Sequence, residues 1–180
     1  MGQNNANLGR ALLGECRDTF RRAQRKIEHC LDQLTDADVT WRPGPGMNSI
    51  AIIVNHLAGN ARQWIVSGLG GAPDVRRRWA EFDDPGVVTV AAVRSTLRAA
   101  VDAVDRALAS ADPGTLLGMR AIQGFTVTGV HALVDTTAHF VGHTHQVVQI
   151  TRMRRGESYA FAFVPAGAAQ GARPSADGVR

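Results

Sequence analysis

The sequence is short of long hydrophobic runs, cysteine and lysine, and each shortage excludes something. No apolar run in the 180 residues approaches the ~18 residues of a membrane-spanning helix. The opening stretch MGQNNANLGR lacks a charged start followed by an apolar segment, and Ala6 breaks the usual myristoylation pattern. We therefore expect a cytoplasmic protein that has no membrane partner.

The two cysteines, Cys16 and Cys30, fall in one predicted helix. A helix rises ~1.5 Å per residue, so fourteen positions separate their Cα atoms by about 21 Å, whereas a disulfide needs about 7 Å or less. They cannot pair with each other. We expect reduced, buried side chains, with a role as a thiol nucleophile as the less favoured alternative.

Lysine is almost absent, and arginine supplies nearly all the positive charge of a chain with a formal net charge of +4. Lys26 is the single lysine, and the arginines cluster at 21–26, 76–78 and 152–155. A basic face can attract nucleic acid. We favour the interpretation that these clusters are solvated helix faces, and we expect no nucleic-acid partner.

What the sequence does have is helical periodicity, with apolar residues recurring every three or four positions. The predicted helices are 8–34, 48–67, 89–110 and 129–155. A proline- and glycine-rich connection follows the first, and a long connection, 68–88, follows the second. Connections of that length are usually functional or partly structured. A short turn or extended piece is expected within 115–127.

Four amphipathic helices of this length predict an all-α four-helix bundle, a fold that builds metal and ligand sites from facing helices. The length fits one domain, which we place at 1–164. The last residues, 165–180, are small and polar and are predicted to form a disordered tail.

Histidines are the candidate functional residues. His139 and His143 are four positions apart, so they stand one turn apart on one helix face and can reach one metal ion. His145, six positions after His139, points elsewhere. His56 lies in the apolar stretch VNHLAGN of the second helix and is the candidate third ligand. Three neutral imidazoles with one open position are typical of catalytic zinc, although imidazole also suits nickel, cobalt, iron and copper.

Polar residues accompany these histidines on the same predicted faces. Asp135 lies one turn before His139 and could orient its ring. Gln146 could hydrogen-bond a ligand or a bound water. Asn60 shares the face of His56, so we include it in the predicted pocket.

Two stretches, LTDADVTWRPGPGMNSIAIIVNHLAGN and HFVGHTHQVVQITRM, resemble the DinB-like superfamily, and in particular a branch of uncharacterised proteins that carries both motifs. The resemblance covers roughly residues 8–155. It implies a four-helix bundle with a long cross-connection. It also implies a divalent metal held by one histidine of the second helix and two of the last, which by position are His56, His139 and His143.

The resemblance also carries functional expectations. Characterised members include bacillithiol and mycothiol S-transferases and a mycothiol-dependent isomerase, and relatives are often homodimers. One position departs from the pattern, because relatives often have glycine where this chain has His145.

Two functions stay open at this point. The first is a metal-dependent enzyme, with zinc or nickel as the expected metal. It would act on a small-molecule substrate, either with a low-molecular-weight thiol in the manner of an S-transferase or as a hydrolase. Arg42, Arg62 or the arginines at 76–78 could bind a carboxylate of the thiol. The second is a non-catalytic metal- or small-ligand-binding bundle, in which Asp135 or Gln146 completes the coordination.

Overall fold

Four long helices dominate the computed structural model, which describes residues 2–83 and 86–162. A fifth, short helix lies between the first two long ones. The helices are α1 (Gly2–Leu31), α2 (Asp36–Thr40), α3 (Ile50–Ala61), α4 (Val90–Ser110) and α5 (Gly129–Arg155). The predicted all-α four-helix bundle is confirmed, and the bounds of α4 and α5 lie within a residue of the predicted ones.

The start of each of the last three long helices is fixed by a hydroxyl side chain. Ser49 accepts a hydrogen bond from the backbone of Ile52 at the start of α3. Thr89 and Thr128 do the same for α4 and α5. Such N-caps satisfy backbone N–H groups that have no partner inside the helix.

The core lies where the apolar faces of the long helices meet. Phe20 of α1 packs edge-on against Phe140 of α5, with ring centroids 5.0 Å apart. Each long helix contributes fully buried aliphatic side chains, among them Ile27, Leu31, Ile53, Leu57, Leu97 and Leu133. Burying one such side chain stabilises the fold by about 1.5–3 kcal/mol. The two cysteines are buried and unpaired in α1, as predicted.

Of two short elements, only the first departs from the sequence-based prediction. Helix α2 forms inside the first connection, where Thr35 and Asp38 make a reciprocal capping box. Strands β1 (Met119–Ile122) and β2 (Phe125–Thr128) pair as an antiparallel hairpin in the segment predicted to be a turn or extended piece. Its two turn residues, Gln123 and Gly124, have positive φ angles of 53° and 81°, as a tight hairpin turn requires.

The connection between α3 and α4 brings a loop back over α3. The chain leaves α3 through a π-helical turn, Arg62–Ser67, and later forms a 3₁₀ turn, Arg78–Glu81. We call residues 72–83 the strap. This connection is the long cross-connection expected from the sequence. The strap places the side chain of Glu81 against α3.

None of the described helices is both long and apolar enough to cross a membrane. The predicted tail at 165–180, and the domain boundary placed at residue 164, lie outside the described residues.

Candidate metal centre

Three imidazoles from two helices converge inside the bundle. His56 comes from α3, and His139 and His143 come from α5. One ring nitrogen of each lies within 4.8 Å of the others, and Nε2 of His56 is 3.0 Å from Nε2 of His139. His56 is buried, whereas the other two are partly exposed. The cluster can hold a metal ion.

The local sequence accounts for part of this arrangement. His139 and His143 share a face because four residues make little more than one helical turn, and their ring centroids are 4.5 Å apart. His56 lies on the inner side of α3, next to the buried Leu57. The meeting of the two faces depends on how α3 packs against α5.

The second ring nitrogen of His56 faces a carboxylate. Its Nδ1 lies 2.9 Å from Oε2 of Glu81 and 3.4 Å from Nη2 of Arg76. An ionised carboxylate only accepts hydrogen bonds and the contact with it is the shorter one, so we place the proton on Nδ1. This tautomer leaves the Nε2 lone pair directed at the other histidines.

His143 is oriented in the same way by an amide. Its Nδ1 lies 2.8 Å from Oε1 of Gln146, one turn further along α5. With Nδ1–H donating to this oxygen, Nε2 of His143 is also free to bind a metal. Gln146 therefore lies next to the cluster, where it contacts a histidine ring.

The environment favours the neutral form of two of the imidazoles, His56 and His139. Burial lowers the pKa of His56, and the nearby Glu81 offsets part of that change. Burial, followed by repulsion from His143 and His56, lowers the pKa of His139 to about 4. A neutral imidazole has the lone pair that a metal ligand needs, so His56 and His139 can both coordinate a metal at neutral pH.

Glu81 and Arg76, both on the strap, form a buried ion pair beside His56 that the sequence reasoning did not identify. Arg76 Nε lies 2.6 Å from Oε1 of Glu81, and Nη2 lies 2.8 Å from Oε2. The two side chains are 3% and 8% exposed. The available signal was general, namely a long connection with charges of both signs. It marked Arg76 only as one of the arginines that could bind a carboxylate of the thiol, and it did not point to Glu81.

The other predicted pocket residues lie farther from the imidazoles. Asp135 is exposed and makes no hydrogen bond with a described residue, although its charge acts to raise the pKa of His139. Asn60 is partly exposed and has no hydrogen-bond partner in the described part of the chain. His145 is exposed and points away from the cluster, as its spacing predicted.

The arginines considered for carboxylate binding have separate locations. Arg76 forms an ion pair with Glu81. Arg62 and Arg77 line a cavity of about 460 Å³ between α3, α4 and the strap. Arg42 is exposed on the connection that precedes α3. Glu81 also lines this cavity but none of the three histidines does, so the cavity and the cluster lie on either side of that carboxylate.

The four-helix bundle with its long cross-connection has a DinB-like fold. Residues 7–168 match the model of DUF1572, described as a protein of unknown function, and the chain belongs to that family.

Two crystal structures show the same fold at low sequence identity. A conserved protein from Enterococcus faecalis is 20% identical, with a TM-score of 0.67 over 80% of this chain and 97% of that one. A DinB-like protein from Bacillus cereus is 19% identical, with a TM-score of 0.58 over 73% of this chain and 85% of that one. No curated protein matches the sequence. At these identities the likeness establishes the fold alone.

Proposed function

We propose that this protein is a metal-dependent enzyme in which His56, His139 and His143 hold a divalent transition metal, zinc or nickel. The observation that carries the proposal is the convergence of three imidazoles with no fourth candidate ligand in the cluster, among the described residues. A three-histidine set that leaves one position open is typical of catalytic sites, whereas structural zinc sites are closed by four protein ligands.

The donor set fits such a metal. Imidazole nitrogen suits zinc and nickel. Two of the three rings already donate their other nitrogen to an oxygen, Glu81 for His56 and Gln146 for His143. Partners of this kind orient metal-binding histidines and raise their basicity.

A metal bound there would act as a Lewis acid, lowering the pKa of a thiol or water bound beside the histidines. We propose an S-transferase-like reaction of a low-molecular-weight thiol: the thiol loses its proton, its sulfur bonds to an electrophilic carbon, and the leaving group departs with its electron pair. Hydrolysis of a small substrate is the close variant. His139 and His143 are partly exposed, which supports substrate entry from their side.

The proposed substrate is a small molecule, without nucleic acid as a partner. Each arginine cluster contributes to an ion pair within the protein, since Arg21 binds Asp105, Arg76 binds Glu81 and Arg154 binds Asp38. Arginines neutralised in this way are less available to phosphates. A homodimer remains the expectation from the family resemblance.

The alternative is a non-catalytic bundle that binds a metal or small ligand, and the deep burial of His56, 7% exposed, favours it. A closed site needs a fourth protein ligand. Gln146 is engaged with His143, and Asp135 is exposed. Both sequence candidates for that fourth ligand are therefore poorly placed, and for this reason we rank the alternative second.

The first experiment measures metal content by mass spectrometry on tag-free protein, purified directly and after reconstitution with zinc, nickel, cobalt or manganese. We expect about one equivalent in the wild type, lost in His56→Ala, His139→Ala and His143→Ala. His145→Ala is the matched control and should keep the metal. If the wild type takes up none of the four metals, the proposal is wrong.

A second experiment separates the enzyme from the alternative. Cobalt-loaded protein is titrated with cysteine, mycothiol and bacillithiol while its absorption spectrum is recorded. An open position predicts a new sulfur-to-cobalt charge-transfer band with at least one thiol, and hydroxide formation predicts a pH-dependent spectrum without thiol. A spectrum unaffected by either would mean that the site is closed and non-catalytic.

A further inference from the structure

We propose that Glu81 and Arg76 are positioning residues, which fix His56 in its Nδ1–H tautomer and thereby set the affinity of the cluster for metal. The second part rests on the proposed metal site, and the first part does not. Neither residue lies on the helices that carry the histidines, and both reach the centre only because the strap crosses α3.

The bonding pattern leaves Glu81 little freedom. Each carboxylate oxygen accepts from a different nitrogen of Arg76, and Oε2 also accepts from Nδ1 of His56. A planar guanidinium that binds both oxygens fixes the plane of the carboxylate as well as its charge. The ring of His56 therefore faces an acceptor of set position.

Arg76 is itself held at its remaining nitrogens. Its Nη1 donates to Oε1 of Gln63 at 2.8 Å, and its backbone N–H donates to Oδ1 of Asp74 at 3.0 Å. Gln63 completes the ring by donating to Oδ2 of Asp74, also at 2.8 Å. This closed set of hydrogen bonds joins the strap to the end of α3.

The backbone of α3 makes room for the carboxylate at one position. A Cβ atom on Gly59 would overlap Oε1 of Glu81 and lie 2.7 Å from its Cδ. Glu81 can therefore reach His56 only because residue 59 has no side chain. The close approach and the bidentate pair point to the same role for the carboxylate.

A tautomer preference matters because only one form of neutral imidazole directs the Nε2 lone pair at the other histidines. Without a fixed acceptor at Nδ1, both forms are populated, and the Nε2–H form must rearrange before it can bind metal. Losing a partner of this kind typically lowers metal affinity about 10–100-fold.

The test compares wild-type protein with Glu81→Gln and Arg76→Lys. Gln has one acceptor oxygen and one donor group in place of two acceptors. It cannot satisfy both Arg76 and His56, and its NH₂ favours the other tautomer. Arg76→Lys keeps the positive charge but loses the two N–H groups that bind both oxygens of Glu81. The control, Asp105→Asn, breaks the ion pairs that Asp105 of α4 makes with Arg17 and Arg21 of α1.

The first readout is the His56 tautomer in metal-free protein, from long-range ¹H–¹⁵N NMR at neutral pH. We expect the Nδ1–H form in wild type and control, and a mixture in Glu81→Gln. Arg76→Lys should show a smaller change in the same direction. The second readout is zinc affinity by competition with a chromophoric chelator, for which we expect a roughly 10–100-fold loss in Glu81→Gln.

The outcomes separate the two proposals. An unchanged His56 tautomer in both variants overturns the inference, whatever the protein does with metal. A shifted tautomer with unchanged zinc affinity also overturns it. If wild-type protein binds no metal while the tautomer still shifts, the proposed function fails and the positioning of His56 by Glu81 is supported. Should Glu81→Gln not fold, Arg76→Lys decides the same question.

Discussion

Two buried carboxylates, Glu81 on the strap and Asp38 in α2, have the same exposure and the same kind of partner. Each residue is 7% exposed, and each accepts hydrogen bonds from an arginine side chain. Arg76 pairs with Glu81, and Arg154 pairs with Asp38. The rest of their surroundings differs.

Asp38 makes its bonds to the start of its own helix and to one arginine of α5. Its Oδ2 accepts from both the backbone N–H and the hydroxyl of Thr35, while Arg154 binds Oδ1 at 2.7 Å. Arg154 is 35% exposed and lies over the ring of Trp41. This carboxylate caps a short helix and joins it to α5.

Glu81 instead contacts a histidine of the candidate metal centre. Its partners are Arg76 of the strap and His56 of α3, and the side chain of Arg76 is only 3% exposed. The comparison shows that a buried arginine–carboxylate pair can have different structural roles. What decides its role is the group that the remaining lone pairs face, a helix end for Asp38 and an imidazole for Glu81.

The largest expected effect is on the free energy of unfolding, when the arginine partner of each carboxylate is removed in turn and the two losses are compared. In Arg76→Met, Glu81 keeps a buried charge without its main partner, and we expect the free energy of unfolding to fall by about 3–5 kcal/mol. In Arg154→Met, Asp38 retains its bonds to Thr35 and the pair is partly solvated, so we expect a loss of about 1 kcal/mol or less. Urea denaturation of metal-free protein measures both, and equal losses would remove the distinction between the two carboxylates.

An intermediate effect is expected from a methyl group next to Glu81. Gly59→Ala must displace the carboxylate, and we expect a loss of about 1–3 kcal/mol together with the tautomer change at His56. Gly14→Ala in α1 is the control, because a Cβ there meets nothing within 4 Å. That substitution should stabilise the protein by about 0.5–1 kcal/mol. A Gly59→Ala protein as stable as Gly14→Ala would show that Glu81 is loosely held.

The smallest effect concerns pH and Asp38. Burial alone raises the pKa of this carboxyl, but hydrogen bonds from Thr35 and Arg154 outweigh it and hold the pKa below the usual 3.8. Its contribution to stability is therefore complete above pH 3.8 and is lost as the pH falls through the lower, folded-state value.

Asp38→Asn should accordingly cost about 1 kcal/mol at neutral pH, and the difference from wild type should shrink in acid. Denaturation curves recorded at a series of pH values measure this. A difference that stays constant down to the acid limit would mean that the charge of Asp38 contributes nothing beyond its hydrogen bonds.

The sequence was most informative where neighbours along the chain decide the structure. The periodicity of apolar residues located the four long helices, and the hydroxyl caps at Ser49 and Thr89 lie at or beside the predicted helix starts. It was less informative for short elements. Helix α2 and the β1–β2 hairpin are too short to show a clear period. The segment of α2 was therefore predicted as a connection, and that of the hairpin only as a short turn or extended piece.

By itself, the sequence determined that His139 and His143 share one helix face, because that relation depends only on helical pitch. It also marked His56 as a polar residue on an apolar helix. Only the tertiary structure decided that His56 meets the pair and that Glu81 lies behind it. Those contacts join residues 25 and 83 positions apart. They depend on how α3 packs against α5 and on the path of the strap, and local periodicity carries no information about either.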